Sequence, residues 1–382
     1  MNRAVVLREL LEHARRHTAY YARLLPPLEQ PLPDDIAGLF ARLPLLSRHE
    51  VQSAQAALRS VQADPAACWI VRSSGSTAEP VEVVVDESSR AAEAEVLAAQ
   101  ADRMACDSRW REHDWMHLAL HPGASSRAIP SPWNPARNAV KWNLSNAWQG
   151  SDESLRHALE HLRGAVAAGL PSVFELLAAR LASCGGPAPR PALLLLSGEP
   201  MDAATRADVA RAFGCSVTMA YALAETGVVA TECAAAGGYH VEPEAAIVEI
   251  LRADGQAVTA GDEGELVVTP LRLRSMPLLR YLSGDNARWA AEPCCCGRPG
   301  PRFELHAGRR ATRLVSATGA TVHVLRFAKL LATLGLERYA WRQEADGAVA
   351  LVYSAPSPMA ASVQSVVGAA VRAALGPDVA VR

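Results

Sequence analysis

The sequence predicts an α/β protein in which a large N-terminal body of several subdomains, residues 1–307, is followed by a small, shortened α+β domain, residues 308–382. Three observations predict it. Short apolar runs of strand character alternate with longer segments of helical period through most of the chain. At Ala307-Gly308-Arg309 the pattern changes, and helix, strand and helix follow one another. Finally, 382 residues, 50% of them hydrophobic, are too many for one small core.

Residues 4–24 read as an amphipathic helix with Val5, Leu7, Leu10, Leu11 and Ala14 on its apolar face, broken by the proline-rich stretch 26–33. Trp69-Ile-Val-Arg-Ser-Ser-Gly75 reads as a strand entering a glycine turn, and Val81-Glu-Val-Val-Val85 as a second strand. Residues 87–104 and 153–184 are rich in alanine and leucine and read as helical, the second interrupted at Pro171. An apolar strand at 192–196 ends in a tight turn at Gly198. Helical spacing follows over 203–213, then a strand over 216–221, with further strands at 246–251 and 264–268. Beyond Gly308, 322–334 reads as helix, 348–353 as strand and 359–375 as helix.

The formal charge of −2 gives no electrostatic case for nucleic acid or for an anionic membrane as partner. The N-terminus is charged and amphipathic and lacks the apolar core of a secretory signal. No run approaches the roughly 18–20 apolar residues of a membrane span. A soluble, cytoplasmic protein is expected, with its eight cysteines reduced or metal-bound rather than paired. Only Lys141 and Lys329 are lysines, so 36 of the 38 basic residues are arginine.

Two features carry chemistry on their own. Ser73-Ser74-Gly75-Ser76-Thr77 has side chains small enough for backbone N–H groups to approach a phosphate, although a serine-rich surface turn reads the same way. Cys233, His240 and Cys294-Cys295-Cys296 supply thiolates and an imidazole, the donor set of a closed tetrahedral zinc site. Their spacing is not that of a standard finger, so the residues alone leave both zinc and simple packing open. Cys68, Cys106, Cys184 and Cys215 are isolated and read as small packed apolar residues.

Taken in order, the serine loop, Gly198-Glu199-Pro200, Tyr221-Ala222-Leu223-Ala224-Glu225, Ser283-Gly284-Asp285 and Gly308-Arg309 resemble the adenylate-forming enzymes, in the phenylacetate–coenzyme A ligase branch. The resemblance implies that Ser73 to Thr77 hold the phosphates of ATP and that Gly198, Glu199, Pro200 and Tyr221 border adenine. It further implies that Glu225 helps to hold magnesium, that Asp285 receives the ribose hydroxyls and that Arg309 precedes the hinge. Ala78 and Glu79 depart from the glycine and lysine usual in the loop, Ala222 and Ala224 from glycine and threonine, and Arg310-Ala311-Thr312 from a hinge carboxylate pair. The branch carries Cys, His and Cys-Pro-Cys-Gly-Arg at matching places. This points to Cys233, His240, Cys294 and Cys296 as ligands of a structural zinc, with Cys295 in the proline slot.

Trp142, Phe174, Ala220 and Ala222 fall where such enzymes shape the acyl pocket, and Trp133, Trp148 and His121 lie in the same region. A typical member runs on to a strand with a catalytic lysine, whereas this sequence ends at Val381-Arg382. Lys329, in the first helix of the small domain, does not match that lysine.

The implied activity is ATP-dependent conversion of an aromatic carboxylic acid to acyl-AMP, then transfer to the thiol of coenzyme A or of an acyl carrier protein, in the biosynthesis of an aromatic natural product. Transfer of the adenylate to a partner reductase and a weakly catalytic scaffold are the alternatives. The expected cofactors are ATP, Mg2+ and a structural Zn2+; a homodimer is expected.

Overall fold

In the computed structural model the described residues are 3–27, 30–72, 81–120, 125–131, 134, 136–199, 201–259, 261–290, 294–306, 313–316, 319, 321–327, 331, 339–344, 346–353 and 358–382. They form a mixed α/β structure divided into two compact units. One is built from residues up to 72, 81–104 and 218–306, and the other from 105–217 and 313–382.

The first unit begins with the helix Arg3–His17, which buries Val6, Leu7, Leu10, Leu11 and Ala14 along one face. Val5 is instead 49% exposed. The helix also ends sooner than its apolar pattern suggests. The Thr18 hydroxyl donates to the Ala14 carbonyl at 2.8 Å and accepts from the Tyr21 N–H at 3.3 Å, turning the chain into the single 3-10 turn Tyr21–Arg23. The buried Tyr21 hydroxyl then accepts the Leu279 N–H at 2.8 Å, fixing this turn to a distant loop. These residues share a core with Val83, Val84 and Leu271–Tyr281 side chains.

The unit's sheet has the spatial order Ala246–Leu251, Glu263–Pro270, Tyr281–Trp289, Arg302–His306, Tyr239–Val241, Gly227–Glu232, Val217–Leu223, each neighbour antiparallel. Alternate residues of Ala246–Leu251 and Tyr281–Trp289 are buried, as a sheet with one packed face requires. Trp69–Arg72 and Glu82–Val85 form a separate antiparallel pair.

In the second unit Leu193–Ser197, Val166–Gly169, Trp115–Ala119 and Asn138–Asn143 run parallel in that order, and Arg127–Pro130 joins antiparallel at the edge. The unbroken burial of Leu193–Leu196 is that of a parallel strand covered on both faces. Val166–Gly169 corrects the sequence expectation of helix over 153–184 interrupted at Pro171. Two helices, Asp152–Glu160 and Pro171–Cys184, flank a buried strand. The same unit contains the strand pairs Arg313–Val315 with Thr321–His323 and Tyr339–Gln343 with Val349–Tyr353, and the helix Ala361–Leu375. Trp341, Val349, Val367, Val371 and Leu375 share a core there. Val322 lies in a strand followed by the 3-10 turn Val324–Phe327, not in the helix expected from 322 onward. Among the described residues no helix is long and apolar enough to cross a membrane.

Candidate functional site

Glu225 lies in the turn between the strands Val217–Leu223 and Gly227–Glu232 and is only 3% exposed. A carboxylate so deep needs partners, and two are present. Arg48 Nη1 stands 3.0 Å from Glu225 Oε1, and the Tyr281 hydroxyl donates to the same oxygen at 3.1 Å. Both partners are placed by local structure. Ser47 and Glu50 form a reciprocal capping box that starts the helix Arg48–Ser53, so Arg48 projects from its first position. Leu46 bonds through its N–H to the Arg280 carbonyl at 2.9 Å and accepts the Leu282 N–H at 3.0 Å, which brings the helix start beside Tyr281. Arg280 has a left-handed backbone, with φ of 55°, and its guanidinium is held by both Glu249 oxygens and by the Ala41 and Leu43 carbonyls. These bonds offset a strain of about 1–3 kcal/mol.

Asp285 and Tyr221 also come together. The Tyr221 hydroxyl donates to Asp285 Oδ2 at 2.8 Å, with both residues buried, and Asp285 N–H donates to Ser283 Oγ at 3.1 Å. Tyr221 meets Phe303 edge-on, ring centres 5.6 Å apart. The strand register shifts between Tyr221 and Ala222, as at a β-bulge, a device that re-aims a side chain. Ala220 is buried and Ala222 half-buried.

The four sequence-chosen cysteine and histidine residues converge. The donor atoms of Cys233, His240, Cys294 and Cys296 all lie within 4.8 Å of one another. Cys233 Sγ is 3.6 Å from Cys294 Sγ, and Cys296 Sγ is 3.3 Å from His240 Nε2. Cys233 and His240 are joined by a tight turn in which the Cys233 N–H bonds to the Gly238 carbonyl at 2.8 Å. Gly238 has φ of 67°, and a Cβ there would lie 2.7 Å from the Phe303 carbonyl oxygen, so only glycine fits. The Arg298 N–H donates to Cys296 Sγ at 3.4 Å, and the Arg298 guanidinium bonds to buried Glu242, which also holds Arg103. The Cys296 N–H, together with neighbouring thiols and Arg302, pushes the Cys294 thiol down to about 7.

Other expected site residues fall in the second unit. Gly198 has φ of 86°, and Glu199 Oε2 accepts the Ser172 N–H at 2.9 Å at the start of the helix Pro171–Cys184. Phe174 is fully buried against Phe213, centroids 5.3 Å apart, which makes it a core residue there. Trp142 is half-buried with its ring edge-on to His161 at 6.0 Å. Ser73, Ser74, Gly75, Ser76, Thr77, Pro200, Arg309, His121, Trp133 and Lys329 lie outside the described residues. Sequence reasoning missed Arg48, Tyr281 and Glu242. The pattern Ser47-x-x-Glu50 signals the helix start that carries Arg48, but nothing local signals its partner.

No protein-family model matches the chain. The phenylacetate–coenzyme A ligase of Thermus thermophilus is 34% identical over 125 residues, covering 32% of this chain and 28% of that ligase. A solved structure of 2-hydroxyisobutyryl-CoA ligase in an open conformation, with 2-HIB-AMP and CoA, aligns over 100% of this chain and 86% of its own, with a TM-score of 0.62 at 19% identity. The same ligase in its thioesterification state aligns over 100% and 85%, with a TM-score of 0.64 at 19% identity. The structural likeness shows an acyl-CoA ligase fold. The chain spans about a quarter of the length of the ligase it matches in sequence, and at 19% identity the solved structures show the fold that it shares with them.

Proposed function

We propose that this chain activates an aromatic carboxylic acid with ATP and passes the acyl group to a thiol. The observation that carries this reading is the contrast between two buried carboxylates of one unit. Glu225 is matched to a cation, Arg48, whereas Asp285 is matched to a neutral phenol, Tyr221. Arg48 and Tyr281 both use Oε1 of Glu225, so Oε2 is the hard oxygen that could serve Mg2+. A carboxylate has two acceptor oxygens, the number that the two hydroxyls of a ribose require.

In this reading an oxygen of the acid forms a bond to the α-phosphorus of ATP, and the bond to pyrophosphate breaks. Magnesium supplies neutralisation of phosphate charge when bound. Arg48 and Tyr281 hold Glu225 oriented for that ion. The thiol sulfur then bonds to the acyl carbon, and AMP leaves with the electron pair of the mixed anhydride. Coenzyme A or the phosphopantetheine of a carrier protein would be the acceptor, in the formation of an aromatic natural product. Residues 308–382 are taken as the small domain of such enzymes.

Cys233, His240, Cys294 and Cys296 fit a structural zinc. With Zn–S of about 2.3 Å and Zn–N of about 2.0–2.1 Å, a tetrahedron has S–S edges of about 3.8 Å and S–N edges of about 3.5 Å. The observed separations are 3.6 and 3.3 Å.

The test is direct. The protein is incubated with ATP, Mg2+ and a panel of aromatic acids, and products are identified by mass. Enzyme-dependent acyl-AMP, converted to a thioester when coenzyme A or a carrier protein is added, is expected. ATP binding without acyl-AMP from any acid would contradict the reading.

A further inference from the structure

The helix Glu87–Met104 turns a polar seam toward its neighbours. Ser89 Oγ donates to the Arg272 carbonyl at 3.0 Å, and Gln100 Nε2 reaches Glu242 at 3.4 Å. Between them lies Glu93. Its Oε1 accepts the Val228 N–H at 3.3 Å, and among the described residues Oε2 has no hydrogen-bond partner. Arg90, one turn earlier, lies over the Trp69 ring at 4.1 Å instead of pairing with it. Glu93 is half-buried and so can be reached from solvent. Burial pushes its carboxyl above the ordinary carboxylate range, and the Val228 N–H only partly opposes this. A carboxyl shifted in that direction keeps its proton to higher pH, and when protonated it both donates and accepts.

Its position is specified by a glycine. Gly227 has φ of 70°, and a Cβ there would lie 2.7 Å from Glu93 Oε1. The missing side chain admits the carboxyl to the foot of the turn that carries Glu225. Thr226 alone separates Gly227 from Glu225, so their Cα atoms are within about 7 Å.

We propose that Glu93 is a specificity-determining residue, its carboxyl recognising a hydroxyl or amino substituent on the acid that is activated at Glu225. The proposal rests on the adenylation reading for the position of that acid. It explains why the fold keeps in this seam a carboxyl that has no ion pair among the described residues.

The probes are benzoate, the hydroxybenzoates and the aminobenzoates, measured by pyrophosphate exchange and, independently, by calorimetric binding. Wild-type protein should prefer at least one substituted acid over benzoate by about tenfold or more, since a site built to bond a polar substituent rejects the analogue lacking it. Glu93→Ala should reduce that preference to within about twofold, and Glu93→Gln should keep most of it. Glu93→Met replaces the alanine variant if that one does not fold. Absence of any preference in wild-type binding overturns the proposal. So does an equal loss on every acid in Glu93→Ala, because that marks a mere prop for Val228. Preference in binding that collapses in Glu93→Ala, without exchange on any acid, supports Glu93 and refutes adenylation.

Discussion

Arg48 and Glu225 are 177 residues apart in sequence, yet they form a buried ion pair at the centre of the candidate site. Removing one member leaves the other charge buried, which typically costs 3–5 kcal/mol for a fully buried pair. With Arg48 27% exposed, Arg48→Ala should cost about 3 kcal/mol. Glu225→Gln in the Arg48→Ala background should recover part of that loss in denaturant unfolding; no recovery would mean that the pair's charge is not what matters. Asp285→Ala should weaken AMP binding by roughly 1.5–3 kcal/mol, the worth of one hydrogen bond to a charged acceptor. Unchanged calorimetric affinity would reject Asp285 as the ribose acceptor. Glu93 makes a pH prediction. Its folded carboxyl titrates above the ordinary range because of burial, so the folded state binds the proton more tightly than the unfolded chain. Wild-type stability therefore drops, through this group, as pH rises from the ordinary carboxylate range through the raised value. Glu93→Gln lacks this proton, so its stability relative to wild type should increase over the same window. A pH-independent difference between the two unfolding midpoints would contradict the burial of Glu93.

At the scale of elements, short-range signals proved sufficient where one segment dictates its own structure. Helical period marked 87–104 and 203–213, which form Glu87–Met104 and Ala203–Phe213. The all-leucine run gave the strand Leu193–Ser197. Val166–Gly169 escaped because Val-Ala-Ala-Gly has little strand character of its own; it is a strand because Trp115–Ala119 and Leu193–Ser197 pair with it on either side. In the candidate site, Glu225, Asp285 and the four cysteine and histidine residues were visible because each sits in a short recognisable string. Arg48 and Glu93 were not, because their partners arrive from strands and turns 177 and 135 residues away. The turn carrying His240 offers an element-scale test. Gly238→Ala forces a Cβ against the Phe303 carbonyl in a left-handed conformation, at a cost of about 1–3 kcal/mol. It should also lower zinc content, measured by elemental analysis, from about one ion per chain for the four-donor site. Wild-type protein purified without chelator and free of zinc would reject the metal assignment.

For the whole molecule, the mixed α/β fold followed from alternation of apolar period, and the resemblance to adenylate-forming enzymes rests on five short strings in a fixed order. The chemistry depends on something the strings do not contain. Chain reversal at Arg280, the capped helix at Ser47 and the hairpin around Glu225 must together bring a guanidinium, a phenol and a carboxylate within 3.1 Å of one another's polar atoms in pairs. The central claim is that this arrangement serves adenylation. Acid-dependent exchange of labelled pyrophosphate into ATP measures that step without regard to the acceptor thiol. Wild-type protein should support exchange with at least one aromatic acid, and Glu225→Gln should lower the rate by about a hundredfold, or about 2.7 kcal/mol of transition-state stabilisation. Exchange that is equally fast in Glu225→Gln, or absent from wild-type protein with every acid while ATP still binds, would contradict it.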